Sequence, residues 1–199
     1  MIAKDTLHLS EQTNFIGCWK IDSSICQNLI NFFNANEKDH VPGRTSDDFN
    51  ESIKKSTDLT IYPKNLSGSD KAINMYLENL FECYKNYLNE WPFLKSFLKQ
   101  VDIGSFNIQK YDEGGHFAKV HSERTSLENL HRIFAFMTYL NDDFEGGKTS
   151  FTHFDLDVKP YIGRTMIWPA EWTHAHKGQI VTNGSKYIIT GWLNIPYLK

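Results

Sequence analysis

Residues 101–123 read VDIGSFNIQKYDEGGHFAKVHSE, and their pattern decides the fold expected of the chain. β-branched and aromatic residues ahead of Gly114 and Gly115 predict a strand, the glycines permit a tight bend, and a second strand follows. Side chains alternate along a strand, so His121 and Glu123 fall on one face, within reach of a single metal ion. The β pattern continues in RIFAFMTYL (132–140), KTSFTHF (148–154), RTMIWP (164–169) and KYIITGWLNI (186–195), with the turn-rich separators NDDFEGG (141–147) and PYIG (160–163).

Upstream the periodicity is helical. Residues 23–34 carry Ile25, Leu29, Ile30 and Phe33 on one face; in 70–91, Ile73, Leu77, Leu80, Tyr84 and Leu88 recur at spacings of three or four. The intervening 39–69 is rich in Gly, Pro, Ser and Asp. It reads as an extended excursion with one short strand at 59–62, and as a mobile flap beside a binding site. Helices first and many short strands later predict an α+β fold in a single domain, 1–199. Residues 1–100 are expected to supply mainly helical support and loop, and 101–199 the β core that holds the site.

A chain of 199 residues, 40% hydrophobic and 14% aromatic, can bury one substantial core. A formal net charge of −3 argues against a nucleic-acid binder working through bulk positive charge. Cys18, Cys26 and Cys83 are widely separated and odd in number, which gives neither a disulfide framework nor a CxxC zinc site. Neither HExxH nor a Cys-His cluster occurs, so a zinc hydrolase finds no support. The N-terminal residues lack an apolar leader, and no apolar run approaches about eighteen residues. A reducing cytoplasm, with no membrane association, is therefore expected.

Two neutral imidazoles and one carboxylate form the facial set that holds Fe(II) on one side and leaves positions open on the other. His121 and Glu123 supply two of these, and His174-Ala-His176 offers two candidates for the third. Lys186 stands in an otherwise apolar strand. Burying its ammonium is costly unless an anion meets it, which suggests a carboxylate partner or ligand. His116, His131 and His153 fit no ligand position. Trp168 and Trp172, on either side of Pro169, offer ring faces to a proline-containing ligand.

From Val101 to Asn194 the chain resembles the catalytic domain of the prolyl 4-hydroxylase family of Fe(II)- and 2-oxoglutarate-dependent dioxygenases. The matching features are Tyr111 ahead of Gly114-Gly115, His121-x-Glu123, Tyr139-Leu-Asn141, Gly146-Gly147-x-Thr149-x-Phe151, His176-x-Gly178, Gly184-x-Lys186-Tyr187 and Trp192, in the family's order. The resemblance implies a double-stranded β-helix, or jelly roll, buttressed by the N-terminal helices. It implies His121 and Glu123 as proximal iron ligands and His176, ten residues before Lys186, as the distal one. Lys186 would bind the far carboxylate of 2-oxoglutarate, Tyr111 and Tyr139 would hydrogen-bond the same co-substrate, and Thr149 would assist. The implied reaction consumes O2, hydroxylates a proline in a peptide or protein, releases succinate and CO2, and uses ascorbate to rescue oxidised iron. Most of the family has His-x-Asp where this chain has Glu123. That departure gives weight to a non-catalytic, cupin-like metal-binding module as one alternative. A 2-oxoglutarate oxygenase acting on another side chain or a small metabolite is a second.

Overall fold

A computed structural model describes residues 14–45, 49–98 and 100–196. Its strands are β1 (Gly17–Lys20), β2 (Val41–Pro42), β3 (Lys54–Lys55), β4 (Thr57–Ile61), β5 (Asp102–Ile103), β6 (Phe106–Tyr111), β7 (His116–His121), β8 (Arg132–Tyr139), β9 (Glu145–Gly146), β10 (Thr149–Phe151), β11 (Leu156–Val158), β12 (Arg164–Pro169), β13 (His176–Gly178), β14 (Val181–Asn183) and β15 (Lys186–Asn194). The large sheet runs β1-β12-β8-β15-β6-β4-β2, with β5 beside β15. A smaller sheet runs β11-β10-β13-β7-β3, and β14 and β9 form a separate ribbon. Every pairing is antiparallel, and the two main sheets make the jelly roll that the family resemblance implies.

Alternation assigns the two faces of the large sheet. In β8, Phe134 and Phe136 belong to one buried cluster, whereas Ala135, Met137 and Tyr139 belong to another. In β15, Ile189 and Leu193 side with the first cluster and Ile188 with the second. The first cluster is covered by α1 (Ser23–Ala35) and α2 (Lys71–Glu90). α1 starts at Asp22, whose carboxylate accepts the Ser24 N–H at 2.7 Å, an N-cap contact.

The buried face of α2 is Ile73, Tyr76, Leu80, Cys83, Tyr84 and Tyr87, rotated from the expected stripe: Leu77 and Leu88 are only half-buried. The reason is polar. Tyr76 is fully buried because its hydroxyl lies 3.1 Å from the Thr138 hydroxyl, which in turn lies 2.8 Å from that of Thr165.

Both helices stand within a residue of their expected bounds, and the expected strands of the second half are present. The stretch 101–111 is split, because β5 and β6 are separate strands. The excursion 39–69 differs from its sequence reading. β4 pairs with β6 from Thr57 to Ile61, and Asp58, Leu59 and Ile61 are buried. β2 joins the large sheet and β3 the small one. A flap cannot include β4, which lies inside a sheet; positions 46–48 of the excursion lie outside the described residues. β1 to β4 thus extend the sheets with strands from the first hundred residues. The expected bend at Gly114-Gly115 is present: Gly114 has φ +79°, and a Cβ on Gly115 would stand 2.7 Å from the Asp112 carbonyl oxygen.

Candidate metal and anion site

Between the two sheets lies a cavity of about 500 Å³. The small sheet contributes His121 and His176, which face each other across the β7–β13 pairing, with ring centroids 4.5 Å apart. Glu123 lies just beyond β7, where its backbone N–H donates to the Ala170 carbonyl at 3.3 Å. One nitrogen or oxygen from each of His121, Glu123 and His176 lies within 4.8 Å of the others. Glu123 Oε1 is 3.4 Å from His176 Nε2 and 4.0 Å from His121 Nε2.

Backbone carbonyls set the tautomers of both rings. His121 Nδ1 is 2.9 Å from the Lys119 carbonyl oxygen, and His176 Nδ1 is 2.9 Å from that of His174. A carbonyl only accepts, so each Nδ1 carries the proton and each Nε2 offers a lone pair toward Glu123. Burial, and the adjacent His176, push the His121 imidazolium down to about 4, so the ring is neutral near pH 7, as a metal ligand must be. Phe117 stacks on His121 at 3.8 Å between centroids, while Phe151 and Trp168 flank His176.

His174 is elsewhere. It ends a 3₁₀ turn, Trp172–His174, and β13 begins only at His176. Its Nε2 lies 2.7 Å from the Asn14 carbonyl oxygen and its Nδ1 3.0 Å from the Thr173 hydroxyl. Both nitrogens are engaged away from Glu123.

Lys186, 3% exposed, enters the same cavity from β15. Its ammonium donates to the Gly147 carbonyl at 2.7 Å and lies 5.1 Å from the Tyr111 ring centroid and 5.5 Å from that of Tyr139. No carboxylate pairs with it among the described residues, and burial pushes its pKa down to about 7. Among the described residues that line the cavity directly, Glu123 is the only carboxylate, against Arg44, Lys54, Lys119, Arg132 and Lys186, of which Lys54 is paired with Asp58 behind the lining. This excess of cations suits a dianionic ligand.

The phenols are less available than their sequence positions suggest. Tyr111 donates to Gln109 Oε1 at 2.7 Å, and Tyr139 shares a 2.7 Å hydrogen bond with Thr149. Thr149 and Tyr111 line the cavity. Of the two tryptophans, Trp168 is buried against His176, whereas Trp172 is 68% exposed. His116 is a half-buried residue of β7 bonded to the Gly114 and Ser52 carbonyls.

The wall near Tyr111 contains groups that sequence reasoning did not single out. Lys54 and Asp58, both nearly inaccessible, form a 2.6 Å ion pair. Asp58 also accepts from Gln109 Nε2 at 3.0 Å and from Ser56 at 2.7 Å. The available signal was the i, i+2, i+4 spacing of Lys54, Ser56 and Asp58 in the sequence. Asp58→Ala leaves a buried ammonium without its partner, so unfolding free energy should fall by about 3–5 kcal/mol. Lys54→Met combined with Asp58→Leu should cost less, and denaturant titration of the single and double variants compares them.

Residues 106–194 match the family model described as the 2OG-Fe(II) oxygenase superfamily. The match covers the strands that build the site, from β6 to β15. The oxygenase fold extends beyond the matched segment. A prolyl-4-hydroxylase of Pseudomonas putida superposes with a TM-score of 0.70 at 16% identity, over 92% of this chain and 94% of that one. A viral collagen prolyl hydroxylase of Paramecium bursaria Chlorella virus-1, in a 2-oxoglutarate complex, gives 0.66 at 16% identity, over 92% and 96%. A Trichoplax adhaerens prolyl hydroxylase, in complex with a hypoxia inducible factor oxygen degradation domain peptide fragment, gives 0.69 at 16% identity, over 92% and 84%. In sequence, prolyl 3-hydroxylase 2 of Rattus norvegicus and of Homo sapiens is 31% identical over 72 residues, 34% of this chain and 10% of those proteins. The chain therefore spans about a tenth of the length of these curated relatives.

Fe(II), 2-oxoglutarate and O2 are the cofactor and co-substrates of the superfamily. The oxygenase site fits them. Two imidazoles with free Nε2 lone pairs and one carboxylate oxygen are ligands for a borderline divalent iron, and the buried Lys186 suits a dicarboxylate.

Proposed function

We infer that this chain is an Fe(II)- and 2-oxoglutarate-dependent dioxygenase that hydroxylates a proline within a peptide or protein. The observation that carries this reading is the convergence of His121, Glu123 and His176 on one wall of a cavity that also holds a buried lysine with no carboxylate partner among the described residues. His121 Nε2, Glu123 Oε1 and His176 Nε2 would hold the iron. Lys186 would neutralise one carboxylate of 2-oxoglutarate, with Tyr111, Tyr139 and Thr149 around it.

Bound iron supplies the oxygen activation that couples decarboxylation of 2-oxoglutarate to hydroxylation of a C–H bond. The protein's part is placement. Carbonyl contacts keep both imidazoles aimed, Lys186 would hold one carboxylate of the co-substrate, and Phe117, Phe151 and Trp168 pack apolar rings around the two histidines. Peptidyl proline as substrate draws support from the named activities of the structural neighbours and from the peptide bound to one of them.

The test is succinate release from 2-oxoglutarate in air with Fe(II) and ascorbate, with and without proline-rich peptides, beside His121→Ala and Lys186→Ala. Peptide-stimulated turnover lost in both variants is expected, with a peptide mass gain of one oxygen. Turnover that no peptide stimulates would keep the oxygenase and remove proline as its target. Metal binding without turnover at any co-substrate concentration would leave a binding module.

A further inference from the structure

Glu123 is the loosest member of the three-residue set: it lies past the end of β7 and has more side-chain torsions than either histidine. Its free rotation is nevertheless stopped. Trp192, on β15 of the opposite sheet, donates its indole N–H to Glu123 Oε2 at 2.6 Å. This engages the oxygen turned away from the histidines, while Oε1 faces both Nε2 atoms. The indole is itself held. The Arg132 guanidinium lies 3.6 Å from the Trp192 ring centroid, and Arg132 Nη1 donates to the Glu123 carbonyl at 3.2 Å. Arg132 and Trp192 come from adjacent strands, β8 and β15, whose pairing fixes their spacing.

We propose that Trp192, braced by Arg132, is the positioning residue that holds the Glu123 carboxylate so that it offers one oxygen, Oε1, to the metal. This rests on the reading of His121, Glu123 and His176 as the metal site. The consequence is specific to geometry: the indole bond occupies Oε2, so coordination through both oxygens is disfavoured, and the carboxylate is aimed before a metal arrives. Glu123→Asp would draw the carboxylate back by one methylene from the indole N–H that holds Oε2.

The experiment is Co(II) titration followed by visible absorption, on wild type, Trp192→Phe, Trp192→His, Glu123→Asp, the Trp192→Phe/Glu123→Asp double variant and His121→Ala. Melting of each metal-free protein reports folding. Trp192→Phe keeps an aromatic ring and loses the donor; its Co(II) affinity is expected to fall about 10- to 100-fold, with a changed absorption band, as for other partners of metal ligands. Trp192→His, whose ring N–H can donate again, should recover part of that loss and carries the comparison if the phenylalanine variant does not fold. Because both substitutions break one bond, the double variant should bind about as weakly as the worse single variant. Unchanged affinity and spectrum in Trp192→Phe, or fully multiplicative losses in the double variant, would overturn the role of Trp192. Wild-type affinity in His121→Ala would instead overturn the metal site itself.

Discussion

Lys186→Met is expected to raise the 2-oxoglutarate concentration needed for half-maximal turnover by roughly two to three orders of magnitude. A charge-assisted hydrogen bond made by a buried ammonium contributes on that scale. The same substitution should leave the protein without bound ligands at least as stable as wild type. In that state the ammonium has lost water and gained one carbonyl and two ring faces, but no carboxylate. The sign of the pH dependence follows. A lysine whose ordinary pKa of 10.5 is lowered to about 7 on folding binds its proton more weakly in the folded state than in the unfolded one. Its destabilising effect is fully present below about pH 7 and is relieved as pH rises toward 10.5. Urea unfolding of the metal-free protein at pH 6 and pH 9 should show wild type gaining stability relative to Lys186→Met. Co-substrate binding above pH 7 should then take up a proton at Lys186, seen by calorimetry in buffers of different ionisation enthalpy. A variant with an unchanged co-substrate requirement would remove Lys186 from the anion site.

The second large effect separates two histidines that stand two residues apart. His176→Ala removes one of the three convergent ligand atoms, and Co(II) affinity should drop by more than about 100-fold, beyond the range seen when only an outer partner is lost. Succinate release should vanish with it. His174→Ala should keep its metal, because both ring nitrogens are spent on Asn14 and Thr173. Its cost should appear in stability, since the Asn14 carbonyl loses its partner. The opposite ranking would exchange their assignments.

How legible these features were depended on whether the information is local. The apolar spacing that marks α1, and the alternation that marks β8 and β15, are properties of a few consecutive residues, and both elements stand where the pattern places them. The face of α2 was less legible. Leu77 and Leu88 fit the stripe, but Tyr76 and Tyr87 displace it, because each of these two buried phenols finds a hydrogen-bond partner for its hydroxyl. Those partners, Thr138 and the Phe15 carbonyl, are far away in sequence. β2 and β3 were hidden for a related reason, whereas the short strand expected at 59–62 overlaps β4. The polar, Gly- and Pro-containing excursion resembles a loop, and the strand character of β2 and β3 comes from pairing with β4 and β7.

By itself the sequence determined an α+β chain with helices before strands, an imidazole and a carboxylate two residues apart, a pair of candidate imidazoles further on, and a lysine in an apolar strand. Each of these is set by residue type and short-range period. Tertiary structure decided which imidazole completes the set, because the 3₁₀ turn at Trp172–His174 swings one ring toward Asn14 and β13 carries the other to His121. It also decided that Lys186 is buried without a carboxylate, that Lys54 and Asp58 are paired inside the wall, and that Trp192 reaches Glu123. These depend on strands from opposite sheets meeting across one cavity, and no short-range pattern encodes that distance.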